Sequence, residues 1–160
     1  MKNIVKRANG KLHMLRLLKR HNLPWKDLIT VYTCYVRPVL EYAVPVWNGA
    51  LTANQKLRME RLQKRALRII FGRNYTTYNE MLIRCNLSSL EERRTQLCSS
   101  FIRKTLNDTP QFRQYLPPIN NNRFLRNTNK IPNLKCKTTR MQNSSLPYLV
   151  NLYNSNSSKQ

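Results

Sequence analysis

The sequence predicts an all-α protein: a small bundle of about five helices, followed by a basic, Asn/Pro-rich extended C-terminal tail. Three observations carry this expectation. Only three glycines, Gly10, Gly49 and Gly72, occur in 160 residues, which argues against a turn-rich β fold. Long stretches of Leu, Arg and Lys carry apolar residues at helical spacing. Composition then changes near residue 108. Residues 1–108 hold all seven acids and carry a net charge of +14. Residues 109–160 have no acid, a net charge of +8, and Pro110, Pro117-Pro118, Pro132 and Pro147. The expected division is therefore a helical domain over 1–108 and an extended, partly disordered tail over 109–160.

Each element has its own signal. Over residues 2–21, Ile4, Val5, Ala8, Leu12, Leu15 and Leu18 share one face, with Lys2, Lys6, His13, Arg16 and Arg20 opposite. Pro24 sits where a helix begins, and Trp25 to Val36 turns Leu28, Val31, Tyr32, Tyr35 and Val36 inward. Pro38 kinks or restarts that helix, a short piece runs from Pro38 to Ala43, and Pro45, Trp47 and Gly49 make a turn. Thr52 and Gln55 form a capping box for a third helix. Its inner face is Met59, Leu62, Ala66, Ile69 and Ile70, and Gly72 ends it. Thr77 and Glu80 open a short helix to Cys85, and Ser88 with Glu91 or Ser89 with Glu92 opens the last. That helix turns Leu90, Leu97, Cys98, Phe101 and Ile102 inward and ends near Asn107. The apolar cluster Leu146-Pro147-Tyr148-Leu149-Val150 with Leu152 and Tyr153 either docks on the helices or stays loose.

Charge restricts the function. Twenty-nine Lys and Arg against seven acids give +22, and such self-repulsion is relieved by a polyanion through counterion release. Nucleic acid is the expected partner, bound as a duplex or an RNA–DNA hybrid without regard to sequence. No apolar run of 18 residues and no secretory signal are present, so no membrane is expected; no small-molecule substrate is expected either. Four widely spaced cysteines, Cys34, Cys85, Cys98 and Cys136, read as reduced thiols of an intracellular protein in nucleus or cytoplasm. With only His13 and His21 beside them, no metal-ligand spacing occurs. Metal-assisted nucleotidyl transfer needs clustered carboxylates. Asp27 and Asp108 lie far apart, Glu91 and Glu92 diverge on a helix, and no Gly-rich phosphate loop exists. No catalytic residue, metal or cofactor is expected.

The candidate binding residues are Arg58, Arg61, Lys64, Arg65 and Arg68 on the third helix, where the mixed-sign charges of an ordinary solvated face are missing. Lys2, Lys6, Arg16 and Arg20 form a second basic face on the first. Trp25, Trp47, Tyr35 and Tyr42 have the chemistry to stack on bases, but their place in apolar runs predicts core positions.

Four segments, in order, resemble one family. Tyr35 to Trp47 (YVRPVLEYAVPVW) resembles the RPxLEYAxPVW segment of reverse transcriptases of non-LTR (LINE-type) retrotransposons. Leu62 to Ile70 (LQKRALRII) resembles the helix that follows it there. Leu87 with Ser89-Leu90-Glu91-Glu92-Arg93-Arg94 resembles the LxSLxERR segment. Asn143 to Tyr148 with Asn151 to Asn154 is similar to the NSFIPYxxxLLN ending. The resemblance implies a helical thumb and C-terminal extension that hold primer–template beside the palm of the parent RNA-directed DNA polymerase. It also implies a separated piece beginning at an internal Met, because the palm's Tyr-x-Asp-Asp turn, the endonuclease and the zinc knuckle have no counterpart. Two alternatives stand beside it: a structural remnant of the element without a role, and a small basic DNA-binding regulator with a helix-turn-helix.

Overall fold

The computed structural model describes residues 2–117 and 131–157, the side chains of Lys2, Pro110 and Ser157 excepted. Among the described residues all regular structure is helical. Ala8, Leu12 and Leu15 are buried along α1 (Lys2–Arg20), while Lys6, His13, Arg16 and Arg20 stand exposed. After Pro24, α2 (Trp25–Val31) runs into a π-helical turn, Tyr32–Val36, and then α3 (Arg37–Glu41). Pro38 explains the wide turn. It offers no N–H to the turn before it and crowds that turn, and a π turn absorbs the misfit, with the Arg37 N–H reaching the Tyr32 carbonyl. The slower rotation carries Tyr35 off the apolar face. Expected inside, it is 43% exposed, with the Lys11 ammonium 3.8 Å above its ring.

Ala43, at φ 52°, precedes α4 (Val44–Trp47), a one-turn helix where a plain turn was expected. Pro45 lies in its first turn, where no N–H is required. Next comes α5 (Ala53–Phe71), with the capping box as expected. The Thr52 hydroxyl accepts from the Gln55 N–H at 3.3 Å, and Gln55 Oε1 accepts from the Thr52 N–H at 3.1 Å. Gly72 ends it at φ 54°, ψ −118°, which a residue with a Cβ adopts only under strain. A 3₁₀ turn, Gly72–Asn74, leads to α6 (Tyr78–Arg84), capped by Thr77. The hydroxyls of Thr76 and Thr77 and the Thr77 N–H hold the Glu80 carboxyl below its ordinary range.

Of the two openings proposed for α7 (Leu90–Asp108), Ser89 with Glu92 is the one used. The Glu92 N–H donates to Ser89 Oγ and the Ser89 N–H to Glu92 Oε2, both at 3.2 Å. Leu90, Cys98 and Ile102 are buried as expected, whereas Phe101 is 40% exposed and stacks edge-on against Phe112.

The chain forms two compact units that do not follow the expected break at residue 108. The first is Met1–Tyr42 with Thr52–Arg93, and the second is Ala43–Leu51 with Arg94–Gln160. In the first, α1 packs on α5 and α3, and α2 on α5. In the second, Val44, Cys98, Ile102, Leu116, Ile131, Leu149 and Val150 share one core. Within the described part of the expected tail lie α8 (Pro110–Arg113), α9 (Thr139–Gln142) and α10 (Ser145–Ser157), while residues 131–136 run without regular structure. The segment 118–130 of that expected tail lies outside the described residues. Burying a Leu, Ile or Val contributes about 1.5–3 kcal/mol, so the apolar cluster at 146–153 docks despite its polar surroundings. Its prolines do no harm: Pro110 and Pro147 fall in first turns. Gly49 lets the backbone close tightly here, since a Cβ would meet the Asn143 carbonyl and Tyr148 at 2.7 Å.

Two outcomes follow. Thr52→Ala removes the α5 cap and should lower stability by about 1 kcal/mol, measured by chemical denaturation. Burial pushes the Cys98 thiol up to about 11 from an ordinary value near 9. The folded state then holds that proton more tightly, so this contribution is complete below pH 9 and is lost as pH rises toward 11. The unfolding midpoint should fall over that window in wild type, and fall less in Cys98→Ala.

Candidate nucleic-acid interface

The first unit carries a groove of about 650 Å³ lined by Val5, Asn9, Arg58, Arg61, Leu62, Lys64, Arg65 and Arg68. All five basic residues singled out on the third helix are therefore brought together, with α1 as the opposite wall. At 3.6 residues per turn the four arginines share an arc of about 80° and span about 15 Å of α5. Arg58, Arg61, Arg65 and Arg68 are exposed, and Lys64 is half-buried.

The rest of α5 fixes the direction in which this stripe points. Gln63, buried on the inner side, accepts from the Tyr32 hydroxyl at 3.2 Å and donates to the Ser88 carbonyl at 2.9 Å. Glu60 is the single acid of the helix, and it accepts the Leu90 N–H at 3.2 Å, at the start of α7. A negative group at a helix N-terminus is favourable. Burial, with Glu60 nearby, also raises the Tyr78 phenol far above its ordinary value, and burial does the same to Tyr32.

Three further acids are also engaged. Glu41 lies 3.2 Å from Arg37 Nε and 3.3 Å from Arg93 Nε, Glu91 pairs with Lys56 at 3.3 Å, and Glu92 caps α7. Among the described residues no three His, Cys, Asp or Glu converge as a metal site.

The outer surface of α5 is backed by rings. The Lys64 ammonium sits 4.9 Å from the Tyr78 ring and the Arg68 guanidinium 5.4 Å from Tyr75. Arg84 lies 5.5 Å from Trp25 and 5.3 Å from Phe71. Such contacts hold cations without neutralising them. Sequence reading missed Tyr75 and Tyr78, because only the turn at Gly72 brings them back beside α5. It missed Asn9 as well, whose Oδ1 accepts from Arg65 at 3.4 Å.

The second basic face is partly continuous with the first. On α1, Arg16 and Arg20 project within about 20° of Asn9, so they extend the same wall over about 16 Å. Lys6 is exposed about 60° further round, and the Lys2 side chain lies outside the described residues. Of the aromatic residues expected in the core, Trp25 is half-buried against Phe71 at 5.6 Å and Trp47 is half-buried in the second unit. Tyr35 and Tyr42 are exposed instead, Tyr42 by 78%. Among the described residues no helix is long and apolar enough to cross a membrane.

Gln63→Leu keeps the shape of the side chain but strands the Tyr32 hydroxyl and the Ser88 carbonyl. It should cost about 2 kcal/mol, and the double variant with Tyr32→Phe should recover part of that stability in denaturant unfolding. No protein family, curated protein or solved structure matches this chain.

Proposed function

We propose that the chain binds nucleic acid through its phosphate backbone, without sequence preference, along the groove between α1 and α5. The observation that carries this reading is the arginine stripe: four guanidinium groups and Lys64 on one helix face, in a helix with a single acid, Glu60, that accepts the Leu90 N–H. Fifteen ångströms of stripe corresponds to the axial rise of about four phosphates on one strand. Guanidinium forks suit phosphate oxygens, and Lys64, Arg65 and Arg68 are already held by Tyr78, Asn9 and Tyr75. The groove is lined mainly by cations, with Asn9 its one uncharged polar side chain, so it suits phosphates more than base edges.

The order of segments that resembles non-LTR reverse transcriptases supports the same reading, with the chain as a thumb-like piece that grips primer–template. Polymerase chemistry then belongs to the palm of a parent enzyme. Four free thiols and a nucleic-acid ligand favour action inside the cell, in nucleus or cytoplasm.

The test is fluorescence anisotropy with duplex DNA and RNA–DNA hybrid over a salt series. Replacing Arg58, Arg61, Lys64, Arg65 and Arg68 together by Gln should flatten the plot of log affinity against log salt by about 0.9 for each phosphate that is no longer neutralised. Unrelated duplexes should bind equally. An unchanged slope in a variant that still unfolds cooperatively contradicts the assignment.

A further inference from the structure

A second recess lies on the other flank of α1. Arg7 stands two residues before Asn9, about 160° around the helix, so it faces away from the arginine groove. Together with Ile4, Pro38, Val39 and Tyr42 it lines a cleft of about 400 Å³, within the range of about 300–1,000 Å³ typical of small-ligand clefts. All five residues belong to the first unit.

The composition of this cleft differs from that of the groove. Ile4 and Val39 are half-buried apolar walls, Pro38 adds a rigid apolar ring, and Tyr42 presents its phenol at 78% exposure. Tyr42 holds that position because α3 stops there. Its N–H bonds to the Pro38 carbonyl at 3.0 Å, and its ψ of 126° then turns the chain out of the helix. One turn along α1 from Arg7, Lys11 is fixed by its bond to the Tyr35 carbonyl at 3.1 Å and by the Tyr35 ring. The nearby acid, Glu41, is engaged by Arg37 and Arg93. The cleft thus offers an exposed aromatic ring, apolar walls and the Arg7 cation, with Lys11 one turn further along α1.

We propose that this cleft takes an unpaired base of a single strand, stacked on Tyr42, with the adjoining phosphates on Arg7 and Lys11. The inference rests on the reading of the chain as a nucleic-acid binder and adds a site for single-stranded overhang, separate from the backbone groove. The charge favours a polyanion over a neutral peptide. The exposed ring favours an unstacked base over a duplex, whose bases already cover one another.

Two probes of equal length separate the sites: a single strand carrying one fluorescent adenine analogue, and a blunt duplex. Wild-type protein should quench the analogue on binding. Tyr42→Ala should abolish the quench and weaken single-strand binding about tenfold, within the range measured for base–aromatic stacking. It should leave duplex binding unchanged, while Tyr42→Phe should keep both. Failure of the wild type to bind either probe overturns the proposed function and this inference together. Duplex binding without single-strand quenching, or equal weakening on both probes in Tyr42→Ala, overturns the inference alone. A change in oligomeric state in Tyr42→Ala, with single-strand binding intact, means that a second copy covers the cleft, and also overturns it.

Discussion

The polar inner edge of α5 is the constraint on which the first unit depends. Gln63 joins the Tyr32 hydroxyl of the π turn to the Ser88 carbonyl before α7, and Glu60, three residues earlier, holds the Leu90 N–H. A buried polar group without partners is destabilising by about 1–3 kcal/mol, so these bonds admit few other rotations of the helix. An apolar inner face alone would tolerate a small roll of α5 about its axis. With the roll fixed, the four arginines point the same way, and self-repulsion among them is maintained rather than relaxed. The direction of the arginine stripe is thus a consequence of interior hydrogen bonding as much as of surface composition.

The arrangement also explains where so few acids go. Seven carboxylates among twenty-nine cations would, if scattered, neutralise part of every basic face. Instead Glu60, Glu80 and Glu92 satisfy the N–H groups that open helices, and Glu41 and Glu91 pair with Arg37, Arg93 and Lys56. Their electrostatic work is local, and against twenty-nine cations it leaves the long-range field of the protein strongly positive.

The segments that carry the resemblance to retrotransposon reverse transcriptases are largely packing segments. Arg93 reaches Glu41 within the first unit, and Arg94, almost fully buried, donates to Asn48 Oδ1 at 3.1 Å in the second. Asn48 in turn donates to the Tyr148 hydroxyl at 2.8 Å. The first and third segments are thus joined in the first unit, and in the second unit Arg94 of the third reaches Tyr148 of the fourth through Asn48.

Local rules were sufficient for much of this protein. Helical class, the Thr52–Gln55 box, the Gly72 stop and the basic stripe each depend on residues a few positions apart, and so were readable from spacing. The exposure of Tyr35 and Tyr42, the π turn that produces the first, and the helices within the expected tail were not. Each depends on what the rest of the chain offers: a proline that shifts a helical register, a helix end that turns a ring outward, a core that accepts Leu149 and Val150. The sequence by itself determined which residues are charged, apolar or able to cap. Only the tertiary structure decided which of them meet, because burial and hydrogen-bond partnership are properties of pairs distant along the chain.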